Sequence, residues 1–222
     1  MISQDSNKPE RPLVVVIAGP NGSGKTSFTF EFLNHEWSRN CSYINPDEIA
    51  HNQFGDWNSA DAVLKAVKLA QQMREDYLAK RKNFIFETVL ASDEKVDFLR
   101  HCRDSGYFIR LYFIATKSPA INAYRVARRV MQGGHDVPIS KIISRYTKSI
   151  SNCVACLPLV DRAYIYDNSE PHKLPERLFR VREGQIVKID SEKLPDWATK
   201  IKVKIETLNI KATSVRQSGI SR

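Results

Sequence analysis

The chain has no run of about 18 apolar residues, the length a helix needs to cross a bilayer, and its first twelve residues, Met1 to Pro12, hold no apolar signal core. A cytoplasmic protein that does not engage a membrane is therefore expected. Cysteine is scarce as well, at four of 222 residues. Cys153 and Cys156 form a C-x-x-C, but neither a second ligand pair nor a thioredoxin-like context accompanies it, so the thiols read as structural. Acidic residues fall short of basic ones, 25 Asp+Glu against 34 Lys+Arg, for a net charge of +9. The shortfall is uneven: residues 1–170 carry 22 basic against 19 acidic side chains, which leaves 12 against 6 for residues 171–222. Such a tail attracts anions, yet few aromatics accompany its charges, which weighs against stacking on single strands, so nucleic acid is not the expected partner. With 42% hydrophobic residues the chain can bury one core, and a single domain with short extensions accounts for its length.

Glycine is sparse too, nine residues in all, and three of them fall within Gly19-Pro20-Asn21-Gly22-Ser23-Gly24-Lys25-Thr26. This octet follows the apolar run Leu13 to Ala18 and leads into Ser27-Phe28-Thr29-Phe30-Glu31-Phe32-Leu33, in the order strand, loop, helix. It fits G-x-x-x-x-G-K-[ST]. In that pattern backbone N–H groups close on phosphate oxygens, Lys25 neutralises the outer phosphates and the Thr26 hydroxyl is offered to Mg²⁺. The helix N-terminus beneath adds a favourable dipole. A merely flexible Gly/Ser connection is the alternative, but the register of glycines, Lys and Thr between an apolar strand and a helix argues for ATP or GTP with Mg²⁺. Gly19, Asn21, Gly22, Ser23, Gly24, Lys25, Thr26 and Ser27 are the expected ligands.

Strand and helix patterns then alternate. Cys41 to Ile44 reads as a short strand ending at Asn45-Pro46-Asp47, where Pro46 starts a helix. Apolar residues at helical spacing predict a long helix over 59–82 that ends in Lys80-Arg81-Lys82. Asn83 to Thr88 is the next strand, 92–104 a helix, Phe108 to Ala115 a strand, and Asp161 to Asn168 a fifth strand. The order βαβαβα implies an α/β fold with a parallel sheet between helical layers, here a three-layer architecture on five strands over residues 12–170. Residues 1–11 read as a flexible N-terminus. Leu178 to Ile189, turning at Gly184, is a hairpin signal, a short helix follows at 195–208 within a packed segment 171–210, and the basic, Ser-rich end 211–222 reads as disordered.

Ligands of open parallel sheets bind outside the carboxyl ends of the strands. Asp47 and Glu87-Thr88 project there beside the phosphate loop. A carboxylate at that edge can take the proton of an attacking hydroxyl and hold the acceptor in line with a γ-phosphate, and Asp47 is the first candidate; a helix N-cap is the alternative reading. Glu87 ends a very apolar strand, where a charge is costly unless paired or turned to a cleft, and it is the nearest equivalent of the acid that helps hold Mg²⁺. Between 121 and 146, Arg125, Arg128 and Arg129 share a helix that breaks at Gln132 to Pro138 before a second helix containing Arg145. A helical lid of this kind can close arginines over a polyphosphate; a solvated basic face is the plainer alternative, and His135 reads as a loop histidine.

Together these residues resemble the zeta toxins, especially their short single-domain members. The resemblance rests on residues 19–26, Asn45-Pro46-Asp47, Phe86-Glu87-Thr88, the segment from Arg125-Val126 through Arg129-Val130 to Gly133-Gly134-His135, Arg145-Tyr146 and Tyr166-Asp167-Asn168-Ser169, and it covers about residues 12–170. It implies a P-loop kinase that uses ATP to phosphorylate a sugar hydroxyl of UDP-N-acetylglucosamine, starving cell-wall synthesis, with an antitoxin protein as partner. On that analogy Asp47 is the general base, Lys25 the P-loop lysine, Glu87 and Thr88 the sugar-nucleotide contact, and Arg125, Arg129 and Arg145 the phosphate-clamping arginines. Kinases of other small alcohols or nucleosides, an RNA-end kinase using the basic tail, and a nucleotide-binding regulator without turnover are the alternatives from the residues alone.

Overall fold

The structure, a computed structural model, describes residues 11–33, 40–55 and 58–218. Its central element is β1 (Leu13–Ala18), whose apolar run is buried on both faces as a central parallel strand requires. Helix α1 (Lys25–Leu33) follows the glycine-rich loop. Then come β2 (Ser42–Ile44), α2 (Pro46–Phe54), α3 (Ala60–Ala79), β3 (Phe84–Thr88), α4 (Asp93–Asp104), β4 (Phe108–Ala115), α5 (Pro119–Met131), α6 (Ile139–Cys156), a 3₁₀ turn at Leu157–Leu159, β5 (Arg162–Asp167), β6 (Glu176–Arg182), β7 (Gln185–Ile189) and α7 (Asp196–Ser218). Helix boundaries follow local chemistry. Asn45 caps α2 ahead of Pro46, and Ser59 Oγ caps α3 by accepting from Ala62 N at 3.4 Å.

The sheet order is β2-β3-β1-β4-β5-β6-β7. The first five strands are parallel, as the alternation of elements predicts, and β1 lies at the point where the chain switches from one side of the sheet to the other. Two expectations need correction. The sheet has seven strands, because β6 pairs antiparallel with the edge of β5 and carries β7 with it, so the hairpin extends the sheet instead of packing beside it. The final helix runs to Ser218, not 208, which makes 211–218 helical; no Gly or Pro interrupts it before Gly219. The expectation for residues 1–11 falls almost wholly outside the described residues.

The two faces of the sheet are unequal. Val14, Val16, Phe84, Phe86, Leu111, Phe113 and Ile165 point into the main core, completed by Ala66 and Ala70 of α3, Leu99 of α4, Cys153 and Cys156 of α6, and Trp197 and Ile201 of α7. On the other face Val15, Ile17, Ile85, Tyr112 and Ile114 form a smaller cluster, and of the described helices only α1 contributes to it, through Phe28. A third small core, Val126, Val137 and Ile142, joins α5 to the start of α6 and makes their hairpin a unit of its own.

Candidate active site

The glycine-rich loop spans the end of β1 and the start of α1 at the sheet's switch point. Its glycines are required by contact. A Cβ on Gly19 would stand 1.9 Å from Ile114 O, and one on Gly24, at φ 93°, would stand 2.2 Å from Asn168 Nδ2. That amide donates to Ser23 O at 2.8 Å, so the end of β5 braces the loop from the side. Among the described residues Ser23 Oγ and Asn21 Oδ1 are buried without a hydrogen-bond partner, as suits loop groups that await a ligand. Lys25 Nζ donates to Pro20 O at 3.1 Å. Burial pushes its ammonium below the usual lysine range, opposed by the charges of Glu87 and Asp47 and reinforced by that of Arg129.

Glu87 is the buried hub of the site. Its Oε2 accepts from Thr26 Oγ1 at 3.1 Å, and its Oε1 accepts from Thr29 Oγ1 at 2.6 Å and from the Tyr43 hydroxyl at 2.5 Å. Thr26 and Thr29 lie three apart on α1 and so share a face, while Tyr43 reaches across from β2, where it sits level with Ile85. Burial and the Glu87 charge hold the Tyr43 hydroxyl protonated, a permanent donor. Tyr43 in turn accepts from Asn45 Nδ2 at 2.9 Å. Among the described residues no group of three His, Cys, Asp or Glu side chains is arranged to hold a metal. Thr26 with Glu87 beside it still suits Mg²⁺, which keeps several waters and takes one or two protein oxygens plus phosphates.

Asp47 stands in the first turn of α2, exposed, and its carboxylate meets no hydrogen-bond or ion-pair partner among the described residues. The helix-cap reading belongs to Asn45 instead, whose Oδ1 accepts from Asp47 N at 2.9 Å. The Asp47 charge nevertheless reaches Lys25 and Glu48, and the half-buried Glu48 carboxyl is pushed upward by burial first and then by Glu87 and Asp47. Thr88 is buried; its Oγ1 accepts from Leu90 N at 3.0 Å and shapes the turn after β3, in which Leu90 takes φ 57°.

The arginines of the α5–α6 hairpin divide. Arg129 donates through Nε and Nη2 to His135 O at 3.1 and 2.8 Å, and Gly134 leaves room for its stem, since a Cβ there would stand 2.5 Å from Arg129 Cγ. Its charge is felt at Lys25. Arg125 donates to Asn168 O at 2.7 Å and is thereby tied to the β5 loop. Arg145 is half-exposed on α6 and has no partner among the described residues, and Ser27 is exposed in the first turn of α1. The sequence reading missed Thr29, Tyr43, Asn45 and Asn168. For Tyr43 a signal existed: on β2 it alternates onto the same sheet face as Ile85, and Asn45 follows just beyond the strand as the cap of α2.

A parallel sheet of this order, with a phosphate loop at its switch point, defines the class of P-loop α/β proteins. Within that class the chain belongs to the zeta toxin family, whose model matches residues 1–174. An uncharacterized protein of Haemophilus influenzae is 25% identical over 132 residues, covering 60% of this chain and 91% of that protein. The fold matches that of the PezAT chromosomal toxin-antitoxin system of Streptococcus pneumoniae at a TM-score of 0.56 and 15% identity, over 97% of this chain and 90% of that one. It also matches the AvrRxo1-ORF1:AvrRxo1-ORF2 complex with sulphate ions at 0.66 and 16%, over 87% of this chain, and the same complex with ATP at 0.62 and 16%, over 82%. This chain spans 64% and 61% of those two chains. No helix among the described residues is long and apolar enough to cross a membrane.

Proposed function

We propose that this protein is a cytoplasmic, ATP-dependent kinase of the zeta-toxin type, which transfers the γ-phosphate to a sugar hydroxyl of UDP-N-acetylglucosamine or a related UDP-sugar and is held in check by an antitoxin protein. The observation that carries this reading is the uncommitted carboxylate of Asp47, whose charge reaches the P-loop lysine from a helix already capped by Asn45. A nucleotide-binding regulator would have no use for such a base. Mg²⁺ would supply neutralisation of the charge on the phosphates. Thr26, oriented by Glu87, is the residue that would ligate it. Lys25 balances the outer phosphates, the loop N–H groups cradle them, and Arg129 adds a guanidinium where charge spreads over the transferring group. Asp47 orients the acceptor hydroxyl and receives its proton as the new O–P bond forms and ADP departs. That a neighbouring fold was solved with ATP and another belongs to a toxin-antitoxin system agrees with donor and partner.

The test is phosphoryl transfer from ATP to UDP-N-acetylglucosamine, with other UDP-sugars, nucleosides, small alcohols and RNA 5′ ends as competing acceptors. Asp47→Asn should keep ATP affinity and melting temperature while transfer falls roughly 10²–10⁴-fold, the usual contribution of a general base. Transfer that survives this change removes Asp47 from the catalytic role, and transfer to a different acceptor class replaces the UDP-sugar assignment.

A further inference from the structure

The sheet face on which Phe28 of α1 meets Tyr112 and Tyr166 has an unusual composition beyond β4. Registered partners in neighbouring strands share a face, so the pairings of β4 to β7 read out its rows directly. One row is Arg110, Arg162 and Arg182 on three adjacent strands. The next is Tyr112, Tyr164, Arg180 and Lys188, and the one beyond pairs Tyr166 with Arg177. The Tyr112 and Tyr164 rings stack with centroids 4.9 Å apart at 14°; Tyr112 is buried and Tyr166 meets Phe28 at 5.1 Å, so the half-buried Tyr164 is the accessible ring of the row.

Charge on this face is poorly balanced. Among the described residues Asp190 alone serves Arg177, Arg180 and Lys188, at 3.1, 2.7 and 3.9 Å. Arg162 and Arg182 stand directly opposite each other and meet no acidic group among the described residues. Like charges opposed across a sheet cost stability. Their placement makes sense if an external anion lies over the row. The aromatics that the basic tail lacks in sequence are supplied here by β4 and β5.

We propose that this face binds single-stranded nucleic acid, with Arg162 and Arg182 on phosphates and Tyr164 stacking an unpaired base, as four-stranded sheet platforms do. A duplex buries its bases and would leave the Tyr164 ring without a role. The arginine row lies at the amino ends of β4 and β5, at the opposite edge of the sheet from the phosphate loop, so binding there does not depend on the kinase reading.

The full chain is tested by fluorescence anisotropy with labelled single-stranded oligouridylate and oligothymidylate dodecamers. Binding should weaken steeply between about 50 and 200 mM salt, as phosphate contacts release counterions. An Arg162→Ala/Arg182→Ala variant should bind at least about tenfold more weakly, with a salt slope shallower by about one for each arginine removed. Its melting temperature should equal or exceed the wild type's, since two opposed charges are gone, which separates a binding defect from a folding defect. Tyr164→Leu should weaken binding about fivefold or more at an unchanged salt slope, because a ring and not a charge is removed. The proposal is overturned by no binding at the lowest salt, by the double variant binding as wild type, or by Tyr164→Leu having no effect, which would leave only a general polyanion surface. It is equally overturned if polyglutamate displaces the oligonucleotides at matched charge, which would mark the face as a site for an acidic protein.

Discussion

Asn168 couples three parts of the site through one side chain and its backbone. Its amide holds the Ser23 carbonyl, its bulk fills the space that Gly24 leaves, and its own carbonyl receives Arg125. In Asn168→Asp the donor becomes an acceptor facing another acceptor beside a loop meant for anions. A buried carbonyl left unpaired costs about 1–3 kcal/mol, so ATP affinity should fall about tenfold or more, read by titration with a fluorescent ATP analogue. Unchanged affinity would show that the loop holds its shape without Asn168. Nothing in the sequence pairs Asn168 with Ser23, since only the fold brings residues 145 apart together. Glu87 is the opposite case. Its place at the end of an apolar strand marks it for the site, but the hydroxyls of Thr26, Thr29 and Tyr43 around it depend on how α1 and β2 lie against β3, a matter of packing geometry and not of local pattern.

Among the elements, the α5–α6 hairpin shows how a sequence pattern can be right about position and silent about roles. Helical spacing puts Arg125 and Arg129 on one face of α5, yet one is tied to the β5 loop and the other is braced toward the phosphate loop. Arg129→Ala should therefore lower kcat more than it raises KM for ATP, while Arg125→Ala should chiefly raise KM and lower the melting temperature. Equal losses in kcat from both would mean that the two arginines act alike on the transition state. The first turn of α2 makes a separate prediction. The Glu48 carboxyl is raised in the fold by burial and by its acidic neighbours, so the proton is held more tightly in the native state than in the unfolded chain. The associated stability is present below the unfolded glutamate range, near pH 4, and is lost as pH rises through the raised folded value. Glu48→Gln should accordingly raise the melting temperature most at pH 8 and little near pH 4, and a gain that does not depend on pH would assign the effect to packing.

For the molecule as a whole, the alternation of strands and helices through residue 170 was readable because each element has its own period and punctuation. The joining of the Leu178 to Ile189 hairpin to the sheet was not, since a hairpin motif does not say whose edge it will join. The family match ends at residue 174, but the core does not: Leu178, Phe179, Val181, Trp197, Ile201 and Ile205 are all buried in it. At about 1.5–3 kcal/mol for each large apolar side chain, their removal rivals the whole stability of a domain, typically about 5–15 kcal/mol. A chain cut after residue 174 should lose its cooperative thermal transition, and a cut chain that melts like the full one would show that the extension is an ornament. The antiparallel addition of β6 also has a bearing on how the protein behaves in a crowded solution. Without it, the Arg162–Asp167 strand, with its alternating tyrosines, would offer a bare row of backbone donors and acceptors to any other chain. With it, the exposed border is moved two strands outward to a short one carrying Lys188, a charge of the kind that discourages a further strand from pairing there.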